Sequence, residues 1–184
     1  MKLHVIVCST RPSRQGLPVA KWFFEAAKAE GSFEVELVDL VEVGLPLFDE
    51  PNHPRLQTYE HEHTKRWSAK VEEADAFVFV MPEYNFNPPP SFVNAIDYLV
   101  KEWGYKPAAF VSYGGISGGL RAVQVAKGLL TTLNVMPIPE AVVLPMFGKQ
   151  IADGVFHPTE PNEAAAKVVL RELHRWAGAL AALR

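Results

Sequence analysis

A short polar segment after the first apolar run of the chain carries side chains suited to binding an anion. It contains hydroxyls, guanidinium groups and one glycine, namely Ser9, Thr10, Arg11, Ser13, Arg14 and Gly16. Such donors, together with the backbone N–H groups at the start of a helix, favour a terminal phosphate. The GxGxxG pattern that a dinucleotide pyrophosphate requires is missing, which disfavours a nicotinamide dinucleotide bound in Rossmann fashion. A solvated surface loop is the alternative for the two arginines.

Two further segments have the residue types that a flat aromatic ligand requires. The first is the polar turn Pro82-Glu83-Tyr84-Asn85, which ends an uncharged apolar run, and the second is the glycine-rich stretch at 113–119. Glycines let backbone N–H groups approach the edge of a ring, while proline and tyrosine pack beside its face. As alternatives, the glycines form a simple turn into a helix, and Glu83 interacts with a helix dipole.

The elements that must position these segments are the strands of a parallel sheet. The run Phe77–Met81 has no polar alternation, which is typical of a central strand covered on both faces. Strand and helix alternate five times, which indicates an α/β fold with a helix layer on each side of the sheet. Apolar and charged residues alternate at 33–39, which predicts that the second strand lies at an edge of the sheet. Pro137 and Pro139 each lack a backbone N–H donor, which predicts the same for the fifth strand. The predicted order is therefore 2-1-3-4-5, with the loops after strands 1 and 3 converging on one crevice beside the loop after strand 4.

Apolar periodicity and turn residues give the expected bounds of the elements. Strands are predicted at 3–8, 33–39, 76–81, 107–112 and 135–144. Helices are predicted from about Pro18 to Gly31, at 58–74, from an N-cap at Ser91 to Trp103, after Gly119 to Leu133, and at 162–183. On the second of these helices, His61 and His63 would point to different faces. With no HExxH pattern and no cysteine partner, we expect no metal site.

Composition restricts the classes of function. The 184 residues carry 18 basic and 21 acidic side chains, which gives a net charge of -3. The chain therefore lacks the strongly positive field of proteins that bind nucleic acids or anionic membranes. No stretch approaches the roughly 18 apolar residues of a membrane span, and the first apolar run is too short for a signal peptide. The single cysteine, Cys8, excludes an intrachain disulfide. We expect one cytoplasmic domain over residues 1–184.

Three motifs carry a family resemblance in their order and spacing: Ser9-Thr10-Arg11-Pro12-Ser13, Pro82-Glu83-Tyr84-Asn85 followed by Asn94-Ala95-Ile96-Asp97, and Ser112-Tyr113-Gly114-Gly115 with Gly118-Gly119. Together they resemble the NAD(P)H-dependent FMN reductase family of flavodoxin-like proteins, across essentially the whole chain. The resemblance implies a flavodoxin-like three-layer sandwich that binds FMN, with the phosphate in the first loop and the isoalloxazine ring between the other two. The cofactor-binding residues that it implies are Ser9, Arg11, Ser13, Gln15, Gly16, Pro82, Glu83, Tyr84, Asn85, Ser112, Tyr113, Gly114 and Gly115.

The resemblance also implies an activity. Hydride would pass from NAD(P)H to FMN, and electrons would then pass in a ping-pong cycle to a quinone, an azo compound, a metal oxyanion or free flavin. Because the cofactor carries this chemistry, no catalytic side chain is expected. A homodimer or homotetramer is expected as well. The alternatives are a flavodoxin-type electron carrier and a redox-sensing flavin-binding protein, neither of which oxidises NAD(P)H.

Two departures from the family pattern bear on substrate preference. Val93 stands where relatives usually carry lysine, and the run Pro88-Pro89-Pro90 stands where they usually carry one proline. Both changes affect the shape of the second loop.

Several other residues have more than one interpretation. Asp39 mimics the ribose-binding acid of dinucleotide folds, although an acidic residue that closes an edge strand is commoner. Cys8 lies in a buried-strand pattern, which favours core packing over nucleophilic chemistry. Five aromatic residues could cover the flavin, form a homodimer contact or pack in the core: Phe86, Trp103, Tyr105, Phe147 and Phe156.

Overall fold

A computed structural model describes all 184 residues, and its centre is a five-stranded sheet. The strands are β1 (Lys2–Val7), β2 (Glu34–Asp39), β3 (Ala76–Pro82), β4 (Pro107–Gly114) and β5 (Met136–Pro145). Every neighbouring pair is parallel, and the order is β2-β1-β3-β4-β5. The predicted α/β class and strand order are confirmed.

The helices that flank the sheet are α1 (Gly16–Glu30), α2 (Leu40–Val43), α3 (Glu62–Glu72), α4 (Pro90–Asp97), α5 (Leu120–Thr131) and α6 (Glu160–Leu180). Gly31 ends α1 with a φ of 83°, which glycine adopts without strain. Thr159 and Asn162 form a capping box at the start of α6. A small hairpin that was not predicted, β6 (Ile151–Ala152) with β7 (Val155–Phe156), precedes α6. None of the helices is both long and apolar enough to cross a bilayer.

The core fills both faces of the sheet, as the apolar run in β3 predicts. Every residue of β3 is buried, and successive side chains enter two different apolar clusters. Val78 and Val80 pack with side chains of α1 and α6, whereas Phe77 and Phe79 pack with those of α3, α4 and α5. Each such large side chain contributes about 1.5–3 kcal/mol by leaving water. The carboxyl end of β3 is therefore a firm support for the turn that follows.

The edge strands have the features that the sequence predicts for them. In β5, Pro137 and Pro139 lack the N–H group that a central strand needs, and the pairing with β4 shifts in register between Ala108 and Phe110. In β2, only the last two residues are fully buried. Each of these two strands therefore lies at an edge of the sheet and pairs with only one neighbour.

Pro82 belongs to β3, although the strand was expected to end at Met81. It pairs with Tyr113 of β4. Its missing N–H faces the side of β1, where the carbonyl oxygen of Cys8 accepts a hydrogen bond from the Ser91 hydroxyl instead. The next residue, Glu83, donates its backbone N–H to the carbonyl oxygen of Tyr113 at 3.3 Å.

The start of α3 lies at Glu62 rather than at residue 58. The carboxylate of Glu50 accepts hydrogen bonds from the backbone N–H groups of Glu60 and His61, at 2.9 and 3.0 Å, and holds this segment outside the helix. His61 is consequently the N-cap, with extended backbone angles. Its ring stacks on that of His63 with centroids 5.1 Å apart, so the expectation that the two rings point to different faces is wrong.

The helix after the triple proline, α4, is also shorter than predicted. It ends at Asp97, and a separate 3-10 turn, Lys101–Trp103, follows. Ser91 lies in the first turn of α4 and does not cap it; its hydroxyl donates to the carbonyl oxygen of Cys8. This hydrogen bond anchors α4 beside the end of β1.

Candidate cofactor site

The carboxyl ends of β1, β3 and β4 meet at a cavity of about 740 Å³, as the strand order predicts. Its lining combines the three predicted loops with a fourth segment after β5: Ser9, Arg11, Ser13, Arg14, Gln15, Pro82, Glu83, Tyr84, Tyr113, Gly114, Gly115, Met146, Phe147, Gly148 and Lys149. We call it the cofactor cavity. Three predicted residues lie elsewhere: Gly16 beneath the first loop, Asn85 in an adjoining cavity of about 620 Å³, and Ser112 buried beside Gly119.

The end of the cavity formed by the first loop has the features of a phosphate site. Gly16 is the first residue of α1, and a Cβ there would overlap the hydroxyl of Tyr113 and lie 2.6 Å from Ser9 Oγ. Both hydroxyls are buried and lack a hydrogen-bond partner. Burial also raises the pKa of Tyr113, so its hydroxyl keeps its proton. Unsatisfied donors beside a helix N-terminus suit an anion.

The two arginines of the first loop have different partners. Arg14 donates through Nη1 and Nη2 to the two carboxylate oxygens of Asp39, at 2.5 Å each, and Nη1 also donates to the carbonyl oxygen of Ser9. Asp39 accepts a further hydrogen bond from the backbone N–H of Val41, at the start of α2. Asp39 thus anchors the first loop. Arg11 forms no ion pair and lies 5.9 Å from the centroid of the Tyr84 ring, so its charge is free for a ligand.

The carboxylate of Glu83 joins the second loop to the third. Its side chain is 9% exposed, and it accepts hydrogen bonds from Ser117 Oγ at 2.9 Å and from both the backbone N–H and Nη1 of Arg121 at 3.1 Å. Burial favours the neutral acid, but these hydrogen bonds outweigh it and hold the pKa of Glu83 below its usual range. Because Arg121 lies in the first turn of α5, Glu83 also faces the positive end of a helix dipole.

A two-residue turn closes the second loop. Tyr84 and Asn87 exchange backbone hydrogen bonds of 2.9 and 3.0 Å, and the residues between them, Asn85 and Phe86, have φ angles of 50° and 68°. This is the pattern of a type I′ turn, which asparagine tolerates and phenylalanine adopts only with strain. The Phe86 ring is 61% exposed, and the Arg121 guanidinium lies 4.2 Å from its centroid. This cation–π contact holds the turn against α5.

The segment after β5 supplies a cavity wall that no sequence motif indicated. The backbone N–H of Met146 donates to the carbonyl oxygen of Gly115 at 3.0 Å, which ties this segment to the third loop. The ring of Phe147 lies 4.7 Å from that of Tyr113, and Lys149 adds a positive charge at the rim. The available signals were position, since this segment also follows the carboxyl end of a strand, and Phe147, one of the aromatic residues considered for covering the flavin.

The five aromatic residues whose roles the sequence did not decide lie in different environments. Phe147 is part of the cavity wall and Phe86 lies at the rim. Trp103 and Phe156 belong to the two core clusters. Tyr105 is 42% exposed. Core packing therefore accounts for two of the five.

The residues present fit the FMN that the family resemblance implies. At one end, two unpaired hydroxyls lie beside a glycine that has no room for a side chain, and Arg11 lines the same cavity, which suits a phosphate. At the other end, Gly114 and Gly115 bring the backbone into the wall, and no atom lies within 4 Å of the place where a Cβ of Gly115 would be. A flat ring can therefore approach the backbone there.

Known proteins resemble this chain over most of its length. Residues 1–149 match the family described as NADPH-dependent FMN reductase. An NAD(P)H-dependent FMN reductase from Schizosaccharomyces pombe is 41% identical over 161 residues, which cover 85% of this chain and 79% of that protein. A quinone reductase from Pseudomonas putida is 33% identical over 146 residues, 74% of each chain. A flavoenzyme NAD(P)H:acceptor oxidoreductase from Paracoccus denitrificans shares the fold, with a TM-score of 0.75 and 24% identity over 96% of this chain and 97% of that one.

Proposed function

The chain belongs to the NADPH-dependent FMN reductase family, and on that premise we propose that it oxidises NAD(P)H through FMN held in the cofactor cavity and delivers the electrons to a small-molecule acceptor. Family membership makes the protein an oxidoreductase that uses FMN and NAD(P)H. The observation that carries the proposal for this cavity is its phosphate end, where the buried hydroxyl of Ser9 has no partner and Arg11 has no counter-charge.

In this proposal bound FMN supplies the redox chemistry, and the protein supplies binding and orientation. Ser9, Arg11 and the backbone N–H groups at the start of α1 bind the phosphate. Glu83, through its hydrogen bonds to the third loop, fixes the backbone of Gly114 and Gly115 beside the ring. No side chain is required to transfer a proton at the reacting atom.

A quinone is the first acceptor to test, with azo compounds, metal oxyanions and free flavin as further members of the class. The relative from Pseudomonas putida is named a quinone reductase. The adjoining cavity shares Arg11, Glu83 and Tyr84 with the cofactor cavity, which gives a second ligand room beside the first. Pro88 and Pro90 of the triple proline also line it, so this run bears on acceptor choice. Because NAD(P)H and the acceptor both need the same cofactor, we propose that they bind in turn.

The experiment is a set of absorption spectra of purified protein, first as isolated or with added FMN, then after NADPH without oxygen, and finally after a quinone. We expect a bound-flavin spectrum that NADPH bleaches and the quinone restores. Parallel lines in double-reciprocal plots would support the ping-pong order, and intersecting lines would reject it. Protein that stays colourless with FMN and oxidises no NADPH would refute the proposed function.

The same spectra separate the enzyme from its alternatives. A flavodoxin-type carrier would bind FMN and accept electrons from dithionite, yet NADPH would leave its spectrum unchanged. A redox-sensing protein would show the same lack of response, together with partner binding that differs between oxidised and reduced flavin. Bleaching by NADPH within seconds excludes both alternatives.

We further propose a cytoplasmic homodimer or homotetramer. The lone buried Cys8 suits a reducing compartment. Large apolar side chains are exposed on the segments around the cofactor cavity, and burial against a second copy would remove them from water: Phe86, Ile116, Leu120 and Met146. Light scattering coupled to size exclusion tests this; a mass near 20 kDa at micromolar concentration would reject it.

A further inference from the structure

A second group of ionisable side chains lies away from the cofactor cavity, on β1, on β2 and at the end of α3. His4 is on β1, and Glu36 is its neighbour in the register of β2. Glu73 caps the carboxyl end of α3, which covers this face of the sheet. The three residues are 32 and 37 positions apart in sequence, so no motif could reveal the group.

His4 is the unusual member of the group. It is 0% exposed, and neither ring nitrogen has a hydrogen-bond partner. Leaving a buried polar group without a partner is costly, and few native side chains do so. The side chain therefore presents an unused nitrogen lone pair.

The spacing of the polar atoms matches a coordination shell. His4 Nε2 lies 3.5 Å from Glu36 Oε2 and 3.6 Å from Glu73 Oε1. Ligands of a tetrahedral zinc ion, at bond lengths of about 2.0–2.1 Å, are separated by roughly 3.3–3.4 Å. The three atoms all lie within 4.8 Å of one another, so an ion can reach all three once the two carboxylate oxygens approach each other by at most about 1.4 Å.

Two lysines orient the carboxylates. Lys70 donates to Glu36 Oε1 at 2.7 Å and Lys2 donates to Glu73 Oε2 at 2.8 Å, which are the carboxylate oxygens that do not face His4. Lys2 Nζ also lies 3.9 Å from the inner oxygen Glu36 Oε2. Lys70 also contacts the inner oxygen Glu73 Oε1 at 2.6 Å, where it competes with any other cation. The side chains of Lys2 and Lys70 are 25% and 35% exposed, so either ammonium group can turn into solvent.

We propose that His4, Glu36 and Glu73 form a binding site for a divalent transition-metal ion such as zinc, with water as the fourth ligand. Binding displaces Lys70 from Glu73 Oε1, and the negative end of the α3 dipole favours the incoming charge. The carboxylates are about one-third exposed, at 37% and 36%, which leaves a path for the ion. Because its ligands come from β1, β2 and the end of α3, the ion would tie these three elements together. Its role is structural and independent of the proposed function.

The experiment titrates Co²⁺ and Zn²⁺ into chelator-treated full-length protein, because the visible absorption of Co²⁺ reports tetrahedral coordination. We expect tetrahedral Co²⁺ bands that zinc removes by competition. Glu36→Gln and His4→Phe should each weaken binding at least 100-fold. Lys70→Met, which removes the competing ammonium group, should tighten it about 10-fold, at the lower end of the effects of residues around a metal site.

His63→Gln is the matched control, because His61 and His63 are the other paired histidines and could capture the ion themselves. Unchanged affinity in this variant, with loss in Glu36→Gln, supports the site. The proposal is overturned if no tetrahedral bands appear, if Glu36→Gln binds as tightly as the unmodified protein, or if His63→Gln abolishes binding. Glu36 is at the surface, so Glu36→Gln decides the matter even if His4→Phe fails to fold. Flavin binding provides a separate readout and should be unaffected.

Discussion

Arg14 and Asp39 form a two-pronged ion pair, with both carboxylate oxygens 2.5 Å from guanidinium nitrogens and side chains only 13% and 7% exposed. The pair commits Arg14 to holding the first loop against the end of β2. It leaves Arg11 as the arginine whose charge can meet a ligand. The two arginines of this loop should therefore respond differently to mutation.

Arg11→Ala should weaken FMN binding without unfolding the protein. A charge-assisted hydrogen bond to phosphate is worth about 1.5–3 kcal/mol, so the Kd for FMN should rise roughly 10- to 150-fold. Fluorescence titration of flavin-free protein measures the change. Arg171→Ala, on the exposed face of α6, is the control and should leave the Kd unchanged. An unaltered Kd in Arg11→Ala would remove Arg11 from the site.

Arg14→Ala should instead destabilise the fold. It leaves the buried carboxylate of Asp39 without its partner, a change that costs about 3 kcal/mol in buried ion pairs. Urea denaturation measures the free energy of unfolding. The Arg171–Glu172 pair at the surface is the comparison, and breaking it should cost less than about 1 kcal/mol. If both variants lose the same small amount, the Arg14–Asp39 pair is not a structural anchor.

Gly16→Ala should reduce both stability and flavin affinity. Its Cβ would overlap the Tyr113 hydroxyl and press on Ser9, and such overpacking costs about 1–3 kcal/mol. Gly148→Ala is a matched control on the rim of the same cavity, because no atom lies within 4 Å of its Cβ position. Adding Tyr113→Phe to Gly16→Ala should recover part of the loss. No recovery would mean that the overlap with Tyr113 is not the cause.

Glu83→Gln should loosen the third loop. The neutral amide keeps the shape of the side chain but loses the charge that holds the backbone N–H and guanidinium of Arg121. We expect hydrogen exchange at the start of α5 to accelerate about 10-fold, since charged hydrogen bonds are worth about 1.5–3 kcal/mol. Exchange mass spectrometry measures this, with Glu172→Gln as a distant control. Unchanged exchange would argue against Glu83 as the link between the loops.

Because of Lys106, the free energy of unfolding should increase as the pH rises in the alkaline range. Its Nζ donates to the carbonyl oxygens of Val71 and Glu72, at 2.9 Å each, and burial lowers the pKa of Lys106 from its ordinary 10.5 to about 8. Between those values the unfolded chain holds the proton and the folded chain has released it. The free energy of unfolding therefore gains up to on the order of 3 kcal/mol across this window.

Urea denaturation at pH 7.5 and pH 10 tests this in Lys106→Met, where the gain should disappear. Lys21→Met, on an exposed position of α1, should keep it. A pH dependence in Lys106→Met equal to that of the unmodified protein would contradict the assignment.

The sequence was sufficient for the sheet and for the location of the cavity, because both follow from local patterns. The unbroken apolar run of β3 and the prolines of β5 mark centre and edge, and the loops after β1, β3 and β4 then have to converge. The sequence could not predict which charged side chains contact one another in the folded protein. Asp39 is 25 residues from Arg14 and Glu83 is 38 from Arg121, and no periodicity connects residues so far apart.

The remaining errors have local causes in the tertiary structure. Glu50 captures two backbone N–H groups and delays the start of α3, which overrides the helical pattern of the preceding residues. The wall at 146–149 contains no recognisable motif. Its link to the third loop is the hydrogen bond from Met146 to Gly115, which only the assembled sheet brings together.

The turn at Asn85 and Phe86 has a consequence for engineering. Its backbone would suit glycine at position 86, yet the chain keeps an exposed phenylalanine there at a left-handed φ of 68°. Replacing Phe86 by glycine would relieve this strain, which is worth about 1 kcal/mol, and would favour heat tolerance. The replacement would also delete the aromatic surface beside Arg121, so thermal robustness and the character of the cavity rim cannot be optimised independently at this position.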